Sequence, residues 1–279
     1  MIPFDFIYCR PSTLTEAVEV FIELQTQGKK SAYYGGGSEI ISMCRAGSIH
    51  PDAVIDIKSI PECTRLEIQK NALHIGAACT LNQIKESNVF PLLKLVSGRI
   101  ADHTNQCRIT LGGNLSGTII YRETSLPLLL TDAQVTVQGP EGQRTVPFQN
   151  IFSGSIRLKP GEFIVQVHIP EWACSVRYAH IKKTENEKID YPLLSLAAIW
   201  KDDYLRIAFS GVCASPFRSK QIEAVLNDRN LSYAVRADQA AKLLPMPAYC
   251  DVEGSGAYRV FVLQNTLCTL LEEWENGKI

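Results

Sequence analysis

The chain has 279 residues, 46% of them hydrophobic, enough for roughly two domains with cores of their own. Its 28 Lys and Arg against 29 Asp and Glu leave a formal net charge of −1, with no basic stripe interleaved with aromatics; nucleic acid, a membrane surface and polyanions are not expected partners. The start, Met1-Ile2-Pro3-Phe4-Asp5-Phe6, lacks the basic and apolar regions of a secretory signal, and no stretch approaches ~18 apolar residues, so the expected compartment is the cytoplasm.

In chain order, Thr13-Leu14-Thr15-Glu16 has the form of a capping box. Leu14, Ala17, Val18, Phe21 and Leu24 follow at helical spacing until Gly28, which predicts a first helix. Residues 31–34 read as a strand entering the cluster Gly35-Gly36-Gly37, and 38–45 as a helix closed by Gly47. Such a succession sets helix N-terminal N–H groups beside the turn, where phosphate is held well. Residues 53–57 form a β-branched strand, and 66–69 and 73–76 alternate like a hairpin around Lys70-Asn71. Helices are expected at 81–86 and 90–101, before the second cluster, Thr110-Leu111-Gly112-Gly113-Asn114. A helix near 125–131, a strand at 134–138 and a turn at Pro140-Glu141-Gly142 into a further strand come next.

From Glu162 the texture changes. Phe163, Val165 and Val167 alternate with Gln166 and His168, and strands near 176–182, 194–200 and 205–212 complete a set of antiparallel strands. Helices follow at 217–226 and 232–244, and the last helix turns Val260, Leu263, Leu267, Leu270, Leu271 and Trp274 to one face. A boundary near Pro170-Glu171 fits the shift from α/β alternation to a sheet followed by helices.

The first cluster, Tyr34-Gly35-Gly36-Gly37-Ser38-Glu39, matches neither G-x-G-x-x-G nor a P-loop; alone, it is also what an ordinary strand-to-helix turn looks like. The second sets Thr110, Asn114, Ser116 and Thr118 around Gly112 and Gly113, with Glu123 placed to accept from ribose or amide donors. An exposed loop rich in turn formers has the same composition. Two such clusters suit the phosphates of one extended ligand. The nine cysteines include no C-x-x-C pair, which argues against a zinc ribbon, a thioredoxin-type motif or an iron–sulfur cluster held by this chain. The five histidines form no H-x-x-x-H or H-E-x-x-H pattern, and no G-x-S-x-G elbow is present. A binding groove without acid, base or metal is what a protein whose cofactor carries the chemistry presents.

Five segments, in order across almost the whole length, carry a family resemblance. Gly35-Gly36-Gly37-Ser38-Glu39 is similar to an A-G-G-T-[DNE] loop, Ile75-Gly76-Ala77-Ala78-Cys79-Thr80 to I-G-A-x-x-T, and Thr110-Leu111-Gly112-Gly113-Asn114 to T-I-G-G-N. Arg206-Ile207-Ala208 through Gly211-Val212, Pro216 and Arg218 is similar to R-I-A-x-x-G-V-x-x-x-P-x-R, and Gly256-Ala257-Tyr258-Arg259 to S-A-x-Y-R. Together they resemble the flavin, or medium, subunit of the molybdenum hydroxylases, the family of xanthine dehydrogenase and carbon monoxide dehydrogenase. The departures are Ile119-Ile120 in place of Ser-Pro, Gln106 in place of Arg and Glu123 in place of Asp.

The resemblance implies an α+β fold: a two-subdomain FAD-binding α/β domain of the vanillyl-alcohol-oxidase-like kind at 1–170, with subdomains at about 1–57 and 58–170, followed by a C-terminal antiparallel sheet with helices at 171–279. It implies FAD held by Tyr33, Tyr34, Gly35, Gly36, Gly37, Ser38, Glu39 and Ile40 and by Thr110, Leu111, Gly112, Gly113 and Asn114 around the pyrophosphate. Glu123 would stand near the adenosine, and Ile164 and Lys182 would approach the flavin. The implied activity is that of an oxidoreductase subunit of a xanthine-dehydrogenase-like hydroxylase. Electrons would come from a molybdenum-cofactor large subunit through the clusters of a [2Fe–2S] small subunit, and pass through FAD to NAD or another acceptor. No acid or base of this chain would be involved, and purine is the expected substrate class. A stand-alone flavin-dependent reductase and a flavin-free assembly subunit are the other readings.

Overall fold

The computed structural model describes residues 2–185 and 190–277. Contacts divide the chain into two units, one of Met1–Val89, Asp102–Gly117 and Asp132–Glu171, the other of Phe90–Ala101, Thr118–Thr131 and Trp172–Ile279.

The first unit begins with β1 (Ile7–Cys9), α1 (Leu14–Thr26), β2 (Ser31–Tyr34), α2 (Ser38–Arg45) and β3 (Ala53–Asp56). The strands form a parallel sheet in the order β1-β3-β2, with helical crossovers supplying the returns that parallel strands need. All four residues of the central strand are buried, as their apolar run suggests. Thr13 caps α1 by accepting from the Glu16 N–H, but the Glu16 carboxylate reaches past it to the Ser12 N–H at 2.7 Å, so the reciprocal half of the box is displaced by one residue.

The same unit contains β4 (Leu66–Gln69), β5 (Ala72–Gly76), β6 (Gln134–Gly139), β7 (Gly142–Pro147) and β8 (Phe163–Pro170), an antiparallel sheet in the order β4-β5-β8-β6-β7. Lys70 and Asn71 both take positive φ, 51° and 61°, as a two-residue hairpin turn requires. The strand at 163–168, expected to open the C-terminal set, is instead the middle strand here, hydrogen-bonded to β5 and β6.

The second unit is built on β9 (Arg177–Lys183), β10 (Leu194–Lys201), β11 (Tyr204–Ser210) and β12 (Phe217–Arg218), antiparallel in the order β12-β11-β10-β9. Helix Pro91–Ser97 packs on β9, and Ser125–Leu130 on β10, β11 and β12. Helices Lys220–Leu226, Tyr233–Lys242 and Gly256–Glu275 enclose a core that includes Leu196, Ile207, Phe209, Leu263, Leu267 and Trp274. Two expectations change here. Phe217 pairs with Phe209 as strand, because Ser219 caps the next helix and starts it at Lys220. The last helix buries Arg259 rather than Val260, and the guanidinium donates to the carbonyls of Pro192, Leu193 and Gly211. No helix among the described residues is long and apolar enough to cross a membrane.

Candidate functional site

In the first unit, β2 delivers the chain to Tyr34, beside Asp56 at the end of β3, and Gly35-Gly36-Gly37 turns it into α2. Gly37 is the N-cap at φ 71°, and a β-carbon there would stand 2.0 Å from the Tyr34 hydroxyl, so both backbone and space require glycine. A glycine cap offers no side-chain acceptor. The N–H groups of Ser38 and Ile40 in the first turn therefore receive no side-chain cap, and they form the positive end of the helix dipole. The Ser38 Oγ beside them is buried without a hydrogen-bond partner.

The second cluster is not a loop but the first turn of helix Leu111–Ser116, capped by Thr110, whose Oγ1 accepts from the Gly113 N–H at 3.1 Å. Its other amides also have protein acceptors: Leu111 donates to the Cys79 carbonyl at 2.9 Å, Gly112 to Ala77 at 2.8 Å and Asn114 to Thr110 at 2.8 Å. The two clusters come together. A β-carbon on Gly35 would lie 2.7 Å from Thr110 Oγ1, and one on Gly36 would lie 1.6 Å from the Arg108 carbonyl oxygen. Gly36 is thus bare so that the backbone of 108–109 can approach it. The second cluster props the first, whose uncapped Ser38 and Ile40 amides are the donors offered to an anion.

A residue not singled out from the sequence completes this end of the unit. Lys58 Nζ donates to the Gly35 carbonyl at 2.8 Å and to Asp56 Oδ2 at 2.7 Å, and lies 4.6 Å from the centroid of the Tyr34 ring. Asp56, almost wholly buried, also accepts from the Lys58 N–H at 2.9 Å and from the Tyr8 hydroxyl. Burial works against its ionisation, but the hydrogen bonds from Lys58 and Tyr8 hold the carboxyl below its ordinary range. The available signal was an Asp closing an apolar run, two residues before a Lys.

The other expected residues are placed as follows. Tyr33 donates to the Gly161 carbonyl at 3.0 Å, with its ring 4.4 Å from that of Phe163, and burial raises its phenol pKa. Ile40 is half-buried on α2, and Ile164 is buried in β8 opposite Val137. Glu39 lies against Gly117, where a β-carbon would stand 2.3 Å from its Oε2. Thr118, Glu123 and Lys182 belong to the second unit. There Lys182 Nζ donates to Glu123 Oε2 at 3.1 Å and to the Arg99 carbonyl at 2.7 Å, so the carboxylate expected to meet ribose or amide donors meets an ammonium. Arg99 also donates to the His180 carbonyl at 2.9 Å, and His180 Nε2 lies 3.1 Å from Ser195 Oγ. Burial, with the Arg99 and Lys182 charges, pushes the His180 pKa down to about 3.

The first glycine loop fits a phosphate-bearing cofactor: an eight-residue helix that starts without a side-chain cap, a buried hydroxyl without a partner, and a lysine holding the loop carbonyl. Comparison with known proteins agrees. The chain is 27% identical over 271 residues to the carbon monoxide dehydrogenase medium chain of Hydrogenophaga pseudoflava, covering 93% of each. It is 25% identical over 285 residues to the xanthine dehydrogenase FAD-binding subunit of Escherichia coli O157:H7, covering 97% of this chain and 96% of that one. The fold superposes on a chain of the H. pseudoflava carbon monoxide dehydrogenase structure with a TM-score of 0.85, at 25% identity over 96% of each. Residues 3–172 match the family described as the FAD binding domain in molybdopterin dehydrogenase. The chain belongs to that family, and FAD is its cofactor.

Proposed function

We propose that this chain is the FAD-binding electron-transfer subunit of a xanthine-dehydrogenase-like molybdenum hydroxylase in the cytoplasm. In this reading it takes electrons from a [2Fe–2S] small subunit served by a molybdenum-cofactor large subunit, delivers them to NAD or another acceptor, and serves purine oxidation. The observation that carries the reading is the length of the match: relatives named as a medium chain and an FAD-binding subunit align over more than nine-tenths of this chain.

When bound, FAD supplies the redox chemistry, accepting electrons and passing them on as hydride. The chain's own residues bind and orient. Amides of the Gly35 to Ile40 loop hold the pyrophosphate, and the Thr110 to Asn114 turn supports that loop. Tyr33, Thr118, Glu123, Ile164 and Lys182 are the remaining candidate contacts, the lysine with its ammonium already engaged by Glu123.

The test is purification of the tagged chain from its native host, followed by anaerobic addition of NADH. Expected are two further chains carrying molybdenum and iron–sulfur clusters, and bleaching of the flavin absorbance by NADH or by a second acceptor couple. A flavin-loaded chain that purifies alone and turns over a small molecule unaided would overturn the assignment.

A further inference from the structure

Three strands of the parallel sheet are joined through one aspartate–lysine pair. Tyr8 from β1 and the Lys58 ammonium meet on Asp56 at the end of β3, and the same ammonium holds the carbonyl of Gly35, which follows β2. Lys58 lies in the turn Ile57–Ser59, for which Asp56 is the N-cap. The ammonium is therefore anchored to the central strand at two points, through its own backbone and through a carboxylate that is 2% exposed.

The bond to Gly35 matters because of what it orients. A peptide is planar and trans, so the direction of the Gly35 carbonyl sets the direction of the Gly36 N–H, which points the opposite way. Between two glycines that plane has no side chain of its own to hold it, and apart from Lys58 only the close approach of Arg108 and Thr110 restrains it. Tying the carbonyl to Lys58 sends the Gly36 N–H away from the Asp56 side of the loop.

We propose that Lys58 is a positioning residue for the cofactor: by clamping the Gly35 carbonyl it fixes the Gly35–Gly36 peptide so that the Gly36 N–H joins those of Ser38 and Ile40 on the phosphates of FAD. Lys58 acts through the loop and need not touch the ligand. The inference rests on the first loop being the phosphate cradle.

The full chain, stripped of flavin, is titrated with FAD by flavin fluorescence for wild type, Lys58→Met and Lys58→Arg, and melted without ligand. With the Lys58 side chain 41% exposed, its bond to the loop carbonyl is expected to matter by about threefold or more in the dissociation constant of Lys58→Met, with Lys58→Arg recovering most of the loss. Lys58→Met binding FAD as wild type does would overturn the proposal, and so would Lys58→Arg binding no better than Lys58→Met. Should Lys58→Met fail to fold, Lys58→Ala, which also removes the donor, replaces it under the same criteria. Amide exchange of the wild-type chain separates the two levels of the argument. FAD that leaves 36–40 unprotected sinks the cradle itself, whereas protection there with unaltered affinity in Lys58→Met sinks only the role of Lys58.

Discussion

Lys182 Nζ sits 3.1 Å from Glu123 Oε2, and the two side chains are only 3% and 5% exposed. Burial raises the Glu123 carboxyl pKa, opposed by the Lys182 charge, the Ser195 hydroxyl and Arg99. An enclosed pair of this kind is costly to break from one side, because the survivor is left charged and dry.

Glu123→Gln or Lys182→Met alone is therefore expected to destabilise the second unit by about 3–5 kcal/mol, and the double variant by clearly less than the sum of the two. All three tryptophans, Trp172, Trp200 and Trp274, lie in that unit, so tryptophan fluorescence during urea unfolding reports on it. Additive losses would show that the two side chains do not depend on each other.

Gly36 and Gly113 should respond differently to the same added methyl group. At Gly36 a β-carbon meets the Arg108 carbonyl oxygen at 1.6 Å, whereas at Gly113 it meets only Thr110 Oγ1, at 3.0 Å. Gly36→Ala is expected to cost the flavin-free protein at least about 1–3 kcal/mol, and Gly113→Ala within about 0.5 kcal/mol. Thermal melts of flavin-free protein decide this. Any weakening of FAD binding in Gly113→Ala then reports on the ligand rather than on the fold.

Thr110 serves both clusters, capping the Gly113 N–H and lying against Gly35. Thr110→Ala should lose about 1 kcal/mol of stability, with Thr110→Ser close to wild type because the hydroxyl is the capping group. Equal losses in both would assign the effect to the methyl group instead.

Acid should weaken the second unit through His180, whose folded pKa of about 3 lies below the ordinary value. The unfolded chain binds the proton first, near pH 6.5, so the contribution is fully present above that pH and is lost progressively down to about pH 3. The slope is up to about 1.4 kcal/mol per pH unit for one such histidine. Comparing urea unfolding at pH 7 and pH 5 for wild type and His180→Gln checks it: the variant should show the smaller drop. His168 in the first unit, pushed to about 4 by burial and then by the charge of His74, acts in the same direction there.

Features governed by neighbouring residues were readable from the sequence, and those governed by distant partners were not. The strand, turn and helix around Gly35 to Gly37 and the Lys70-Asn71 hairpin follow from local backbone preferences. Alternation at 163–168 identified a strand, but nothing in that pattern says that its edges pair with β5 and β6. The helix expected from Phe217 begins only at Lys220, because Phe217 pairs with Phe209 across the turn between them. The second cluster was recognised by its glycines, but the carbonyls of Ala77 and Cys79 that occupy its amides come from a distant segment. Lys58 is one lysine among many until the fold brings it to Gly35.

The interleaving of the two units limits how the chain can be divided. Segments 90–101 and 118–131 are threaded into the second unit from within the first stretch of sequence, and they bring Leu92, Leu93, Val96, Leu126, Leu128 and Leu130, all buried. Cleavage after Glu171 would yield an N-terminal fragment carrying two greasy helices with no sheet to cover, and a C-terminal fragment whose β9 to β12 sheet has lost those helices. A cut there separates each of those helices from the sheet it covers, although Glu171 itself is exposed.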